Sequence, residues 1–260
     1  MPFTLAHPAA VLPLTRLRAL DPLPLIIGSV APDIGYYFPR YIKLRLPAAH
    51  SFVGSLTFCL PVALGLLAML IALQRPLLEP LPAGHRQFVA FLIERFQSRK
   101  FYLAAAVPSV LIGVWSHLIW DSFTHKNRWA VQHSDLLRST LQLPLIGSME
   151  IFRALQYASS VVGLAVIIIC YLSAKREFVR AHKLVETRSK RPVLLVALIV
   201  LSVMVAAHKV IQLHRFSVYR FGTAALTSSV AVFCVAWFGC GLVLVMLRTF
   251  QLVSSESKDR

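Results

Sequence analysis

The sequence predicts an all-α, multi-pass membrane protein with about five transmembrane helices. Three observations lead there. Hydrophobic residues make up 57% of the 260-residue chain and charged residues only 15%, with a mean hydropathy of +0.68. That composition excludes a disordered chain, a collagen-like chain and a coiled coil, and it leaves too little charge for an ordinary water-facing surface. The chain also holds five long uncharged runs. Finally, its net charge of +16 sits between those runs, where membrane loops meet headgroups.

The runs are Ser51–Gln74 (24 residues), Phe101–Trp120 (20), Ala154–Ala174 (21), Pro192–Ala207 (16) and Phe221–Leu247 (27). A helix needs roughly 20 apolar residues to cross a bilayer core, so four runs qualify and the fourth in order is short. In lipid the backbone must satisfy its own hydrogen bonds, which makes each run a helix. Pro61 and Pro108 are expected to kink the first two. Leu23–Phe38 is apolar but short and broken by Pro32 and Asp33, so it reads as a membrane-surface or re-entrant segment. Met1-Pro2-Phe3 shows no basic n-region, so no cleavable signal peptide is expected. Cys59, Cys170, Cys234 and Cys240 all fall in runs, where they act as small apolar residues. Residues 1–174 form one expected domain, and residues 175–260 add two further helices and a polar tail.

Five helices put residues 1–50, 121–153 and 208–220 on one side of the membrane. That side holds twelve basic residues and the other fifteen, seven of them in 175–191. The positive-inside rule therefore makes the second side cytoplasmic. The localisation expected is a cell membrane, with the first side facing away from the cytoplasm.

The first side collects the chemistry. His117, Asp121 and His125 follow a His-x3-Asp-x3-His spacing at the end of the second run. Residues four apart share a helix face. Imidazole plus carboxylate is a donor set for zinc or a related divalent ion, and ionisable groups near a membrane helix are costly. The competing reading is a pair of interfacial histidines with a capping aspartate. His7, Asp33 and His50 precede the first run, so topology returns the second helix beside them. Each alone reads more simply as an interface residue. Gly28 to Asp33 reads as a bend holding the Asp33 carboxylate, and Ser51 as a group that orients an imidazole. Gln156, Tyr157, Ser159 and Ser160 are helix-packing groups or cavity lining. His208, Lys209 and His214 read as interfacial, His133 has no paired spacing, and His85 and His182 read as solvated. Arg40, Lys43 and Arg45 read as a basic membrane-surface stripe.

Met1-Pro-Phe-Thr-Leu-Ala-His7, Gly28-Ser-Val-Ala-Pro-Asp33, His50-Ser51, His117 through His125 and Gln156 through Ser160 together resemble the bacterial domain-of-unknown-function family numbered 4184, over roughly the first two thirds of the chain. That resemblance implies a bacterial multi-pass membrane protein. A looser similarity is to inner-membrane proteins described as metal-dependent hydrolases of the LexA-regulated kind. A still looser one is to zinc-dependent phospholipase C. These similarities imply His50, His117, Asp121 and Asp33 as metal ligands, with His7 nearest the N-terminal ligand position. His125 has no counterpart by spacing and is expected to shuttle a proton. The expected function is therefore a membrane-embedded hydrolase of an ester or phosphodiester, lipid-like by location. It would carry one or two divalent ions, zinc by preference, and membrane lipid would be its partner. The alternative is a non-enzymatic metal-binding or structural membrane protein, such as a transporter or assembly partner. The nearly uncharged runs argue against a transport path. A nucleic-acid partner is not expected, because the basic residues are spread over both sides without aromatic interleaving.

Overall fold

The structure, a computed structural model, describes residues 4–37, 49–143, 147–184 and 192–212, with isolated positions between 229 and 241. The chain is mostly helical. The principal helices are α1 (Pro8–Val11), α2 (Pro22–Val30), α3 (Phe52–Ala72), α4 (Ala83–Gln97), α5 (Tyr102–Thr124), α6 (Ile151–Ala181) and α7 (Pro192–Gln212). Three helical stretches are long and apolar enough to cross a membrane: α3, Tyr102–Gln132 and α6. They coincide with the first three uncharged runs. The fourth run forms α7, whose described apolar stretch is Val196–Val205, shorter than a crossing. The fifth, Phe221–Leu247, lies outside the described residues apart from isolated positions.

The chain divides into two compact units, one of residues 1–67 and 95–174, the other of 68–94 and 175–260. In the second unit Phe88, Phe91, Phe178 and His182 form an aromatic cluster with ring centroids 4.3–6.0 Å apart. The first unit carries the site. At its centre α2 packs along α5 with backbones almost touching. A Cβ on Gly28 would lie 2.3 Å from the Val110 carbonyl oxygen, and one on Gly113 would lie 2.3 Å from that of Leu25. Small residues let apolar helices approach this closely. Around the seam Ala31, Ala49, Cys59, Ala63, Val110 and Val114 are buried together. The apolar segment read as a membrane-surface or re-entrant segment thus packs along α5, a helix long and apolar enough to cross a membrane. Its α-helix tightens into a 3-10 turn over Ala31–Tyr37, where the Pro32-Asp33 interruption falls.

Local chemistry fixes the ends. Pro22 opens α2, where its missing N–H costs nothing, and the Asp21 carboxylate accepts from the Leu23 N–H at 3.1 Å. The Asp21 backbone N–H donates to Ser109 Oγ on α5 at 2.9 Å, and Arg99 reaches the Asp21 carboxylate at 3.5 Å. Asp21→Ala is expected to cost about 1–2 kcal/mol, mostly the lost cap, since the bond to Ser109 survives. Asp21→Asn keeps the cap and loses the charge pairing of a buried carboxylate with a one-third-exposed Arg99, so it should cost less than Asp21→Ala. Thermal melts in detergent check the order. Ser51 caps α3, accepting from Gly54 N–H at 2.9 Å. Its hydroxyl serves the helix end, not an imidazole as the sequence suggested. The helix then widens into a π-helical turn at Ser55–Cys59, just before Pro61. Such turns often accompany functional sites. Pro108 sits inside α5.

One element departs from the all-α expectation. Thr140–Leu143 and Gly147–Glu150 pair as an antiparallel hairpin, Thr140 opposite Glu150 and Leu143 opposite Gly147. Gly147 has φ +87°, a backbone conformation glycine adopts freely. In a loop read only for its charges, this short pairing was not visible.

Candidate metal centre

α5 runs on past Trp120 to Thr124, so His117 and Asp121 share a face one turn apart, both buried. His125 is the residue after the last turn, with extended backbone, and its ring stays beside Asp121. The 3-10 turn after α2 delivers Asp33, the residue pair before α3 delivers His50, and the turn before α1 delivers His7. All five expected ligands meet in one place. Asp33 and Asp121 are 1% and 3% exposed.

The Asp33 carboxylate accepts from Thr4 Oγ1 at 2.6 Å and lies 3.2 Å from His50 Nε2. His117 Nδ1 lies 2.8 Å from the Ser29 carbonyl oxygen. A carbonyl only accepts, so Nδ1 carries a proton, which leaves Nε2 as the nitrogen that could present a lone pair to a cation. That Nε2 stands 3.4 Å from Asp121 Oδ2 and 3.6 Å from Asp33 Oδ1. His50 Nε2 is 3.6 Å from Asp121 Oδ2, and His7 Nε2 is 3.7 Å from Asp121 Oδ1. The His7 ring stacks on His117, centroids 3.7 Å apart and planes at 19°. His125 Nδ1 lies 3.4 Å from Asp121 Oδ1 and 3.2 Å from both the Asp121 carbonyl and Thr124 Oγ1. Arg128 donates to the His50 carbonyl at 3.1 Å, steadying that loop.

These spacings fit a metal better than a hydrogen-bond network. Most are too long for hydrogen bonds. Ligands about 2.0–2.2 Å from a shared tetrahedral ion sit roughly 3.3–3.6 Å from one another. Two sets, His7/Asp33/His117 and His50/His117/Asp121, bring their donor atoms within 4.8 Å of each other. Both ring nitrogens of His7, His117 Nε2 and Asp121 Oδ1 are buried without a hydrogen-bond partner. Leaving such atoms unmet is costly, and a cation supplies what they lack.

The charge balance points the same way. Among the described residues, Asp33 and Asp121 face only imidazoles and the Thr4 hydroxyl, with no lysine or arginine. Burial and the adjoining His117 push His7 down to about 3, against the pull of the two carboxylates, so it is neutral at ordinary pH. Burial disfavours the Asp33 carboxylate, yet the His117 and His50 imidazoles and the Thr4 hydroxyl outweigh it and hold the group below the usual carboxylate range. Two stacked rings cannot both be charged at this separation without strong repulsion. With His7 neutral, the two buried carboxylates are compensated only by the other imidazoles and the Thr4 hydroxyl, and a divalent ion would add to that compensation.

Three neighbours were not singled out by sequence reasoning as acting on the site: Thr4, the Ser29 carbonyl and Arg128. Thr4 had a signal, since it stands three residues before His7, one short helical turn away. Of the weaker candidates, Gln156 is buried and accepts at its carbonyl from Ser159 and Ser160. His133 and His182 bond to carbonyls of their own helices. Arg40, Lys43, Arg45 and His214 lie outside the described residues.

No curated protein and no solved structure matches the chain. The family described as a domain of unknown function (DUF4184) matches residues 1–247. The match runs well past the first two thirds, so the family extends to residue 247, beyond the stretch that carries the motifs. With nearly the whole chain covered, this protein is a member of the DUF4184 family.

Proposed function

We propose that the protein is a membrane-embedded, metal-dependent hydrolase of an ester or phosphodiester. His7, Asp33, His50, His117 and Asp121 hold one or two divalent ions, zinc by donor type. The observation that carries this reading is His117: its Nδ1 is tied to the Ser29 carbonyl while its buried Nε2 has no hydrogen bond and faces two carboxylates. This is how proteins commonly fix a ligating imidazole.

A bound divalent ion supplies Lewis acidity and brings the pKa of water down to about 7. The chain's own residues do the rest. The Ser29 carbonyl fixes the His117 tautomer, Thr4 orients the Asp33 carboxylate, and the apolar seam between α2 and α5 keeps bulk water out. In the net reaction water adds across the bond. Its hydroxyl goes to the carbonyl carbon or phosphorus, and its proton goes to the departing alkoxide. His125, whose side chain is 24% exposed, is the most open imidazole of the group and carries that proton.

In this reading the chain crosses a bacterial inner membrane five times, with Pro192–Ala207 and Phe221–Leu247 as the last two crossings. The cluster then faces away from the cytoplasm. The three long apolar helices and the meeting of residues 7, 33, 50, 117 and 121 at one place support that topology.

The test is elemental analysis of the detergent-purified protein beside His117→Ala, followed by an ester and phosphodiester screen with chelator and metal re-addition. About one or two ions per chain are expected, lost in the variant, with activity following the metal. Hydrolysis undiminished in metal-free protein would overturn the reading. Absence of metal after reconstitution would favour a purely structural polar cluster.

A further inference from the structure

Beside the cluster lies a groove of about 410 Å³, within the range of small-molecule sites. It runs between the N-terminal segment, the end of α5 and the first half of α6, entirely inside the first unit. Its walls are built from alanines, Gly163, Leu155, Val162, Val166 and Trp120, and His7 closes one part of them. No lysine, arginine or carboxylate lines it. Ser159 does line it, but its hydroxyl is already given to the Gln156 carbonyl.

We propose that this groove holds a hydrocarbon chain of a lipid substrate and presents the chain's polar linkage to the cluster at His7. The inference rests on the hydrolase reading and deepens it by naming the substrate class.

The lining selects against other ligands. A sugar, nucleotide or peptide would bury hydrogen-bonding groups with nothing to meet them, whereas a methylene chain has none to lose. His7 links groove and cluster: it lines the groove, stacks on His117 and reaches Asp121. A linkage held against His7 therefore sits beside the carboxylates. The small residues make the space. Ala9, Ala10 and Ala158 leave it open, where leucine or phenylalanine would fill it. The groove edge is apolar too, with Val162 59% and Leu155 38% exposed on α6 and Trp120 38% exposed on α5, both long enough to span. Such a face suits entry from the acyl region of a bilayer rather than from water.

The experiment uses the full-length, metal-loaded protein in phosphatidylcholine vesicles doped with a phosphatidylglycerol carrying a diazirine near one acyl terminus. After photolysis, labelled peptides are mapped. Label is expected to concentrate on 155–166 and 6–10. Ala158→Phe should reduce it roughly tenfold, the loss expected when about two methylenes are shut out. Ala158→Leu should give a smaller loss. Val161→Phe, exposed on the same helix but outside the groove, should leave labelling unchanged. Metal per chain should be the same in all four proteins, which shows that the variants are folded. Even labelling along α6, or undiminished groove labelling in both Ala158 variants, overturns the proposal. So does a cross-link that seats another helix or a second copy there. Metal present with no groove labelling sinks the groove alone. Groove labelling in a protein that binds no metal sinks the hydrolase reading and leaves the lipid groove standing.

Discussion

If the cluster holds a divalent ion as proposed, Asp121→Asn is expected to remove it while leaving the fold intact. Asp121 is the hub of the cluster, with His7, His50, His117 and His125 all within 3.4–3.7 Å of its carboxylate. Asparagine keeps the volume but removes the charge and one of two acceptor oxygens. Metal affinity should fall at least about hundredfold, since even changes that only disturb a ligand's orientation cost 10–100-fold. Hydrolysis should fall with it. Isothermal titration with zinc gives the first number and an esterase or phosphodiesterase assay the second. Asp135→Asn is the control: that carboxylate is almost fully exposed and pairs only with Arg138, and its loss should change neither.

The same variant separates a metal centre from a structural network. On the metal-centre reading, the metal-free wild type keeps two buried carboxylates near one another that only imidazoles and the Thr4 hydroxyl compensate. Asp121→Asn relieves that, so the metal-free variant should melt at or above the metal-free wild type. With metal present the order should reverse, because a ligand that binds only the folded state raises its stability. If the cluster is instead a metal-free network, its carboxylate would be holding charged imidazoles. Asp121→Asn would then lower the melting point under every condition, and by several degrees.

Much of this site was legible in the sequence, for specific reasons. His117 and Asp121 are four apart in an apolar run, so helical periodicity alone places them together. His7, Asp33 and His50 all precede the first crossing, so counting crossings brings them to the same end. Other features depend on pairs distant in sequence, which no periodicity reports. The tautomer of His117 is set by Ser29, 88 residues away. Asp33 is oriented by Thr4, 29 residues away. His125 looks equivalent to His117 by spacing and does reach Asp121, but the helix ends at Thr124 and its Nδ1 also faces the Asp121 carbonyl and the Thr124 hydroxyl, which spacing does not report. The short hairpin rests on a local turn and four paired residues, too slight a pattern to stand out among apolar helices. The burial of α2 was hidden for another reason. Its apolar residues suit a membrane surface as well as a protein interior, and what decides is the glycine seam with α5.

That seam carries the second large prediction. Gly113→Ala should destabilise the protein by about 3 kcal/mol or more, the upper end of overpacking costs. The added methyl would lie 2.3 Å from the Leu25 carbonyl oxygen and 2.8 Å from the Ser29 nitrogen. Both are backbone atoms of a helix, so no rotamer change relieves the clash, and α2 must move. Ser29 moves with it, and its carbonyl is what holds the His117 tautomer. Asp33 follows four residues later. If the cluster holds a metal as proposed, the variant should therefore lose it although it alters none of the proposed ligands. Gly65→Ala provides the contrast, since nothing lies within 4 Å of its added methyl. Alanine there should be neutral or stabilising by up to about 1 kcal/mol. Melting temperature and metal content of both variants, purified in the same detergent, read the two effects together. If Gly113→Ala melts like the wild type and keeps its metal, the seam is not what positions Ser29. The fixed His117 tautomer, and with it the main support for a metal centre, would then need another cause.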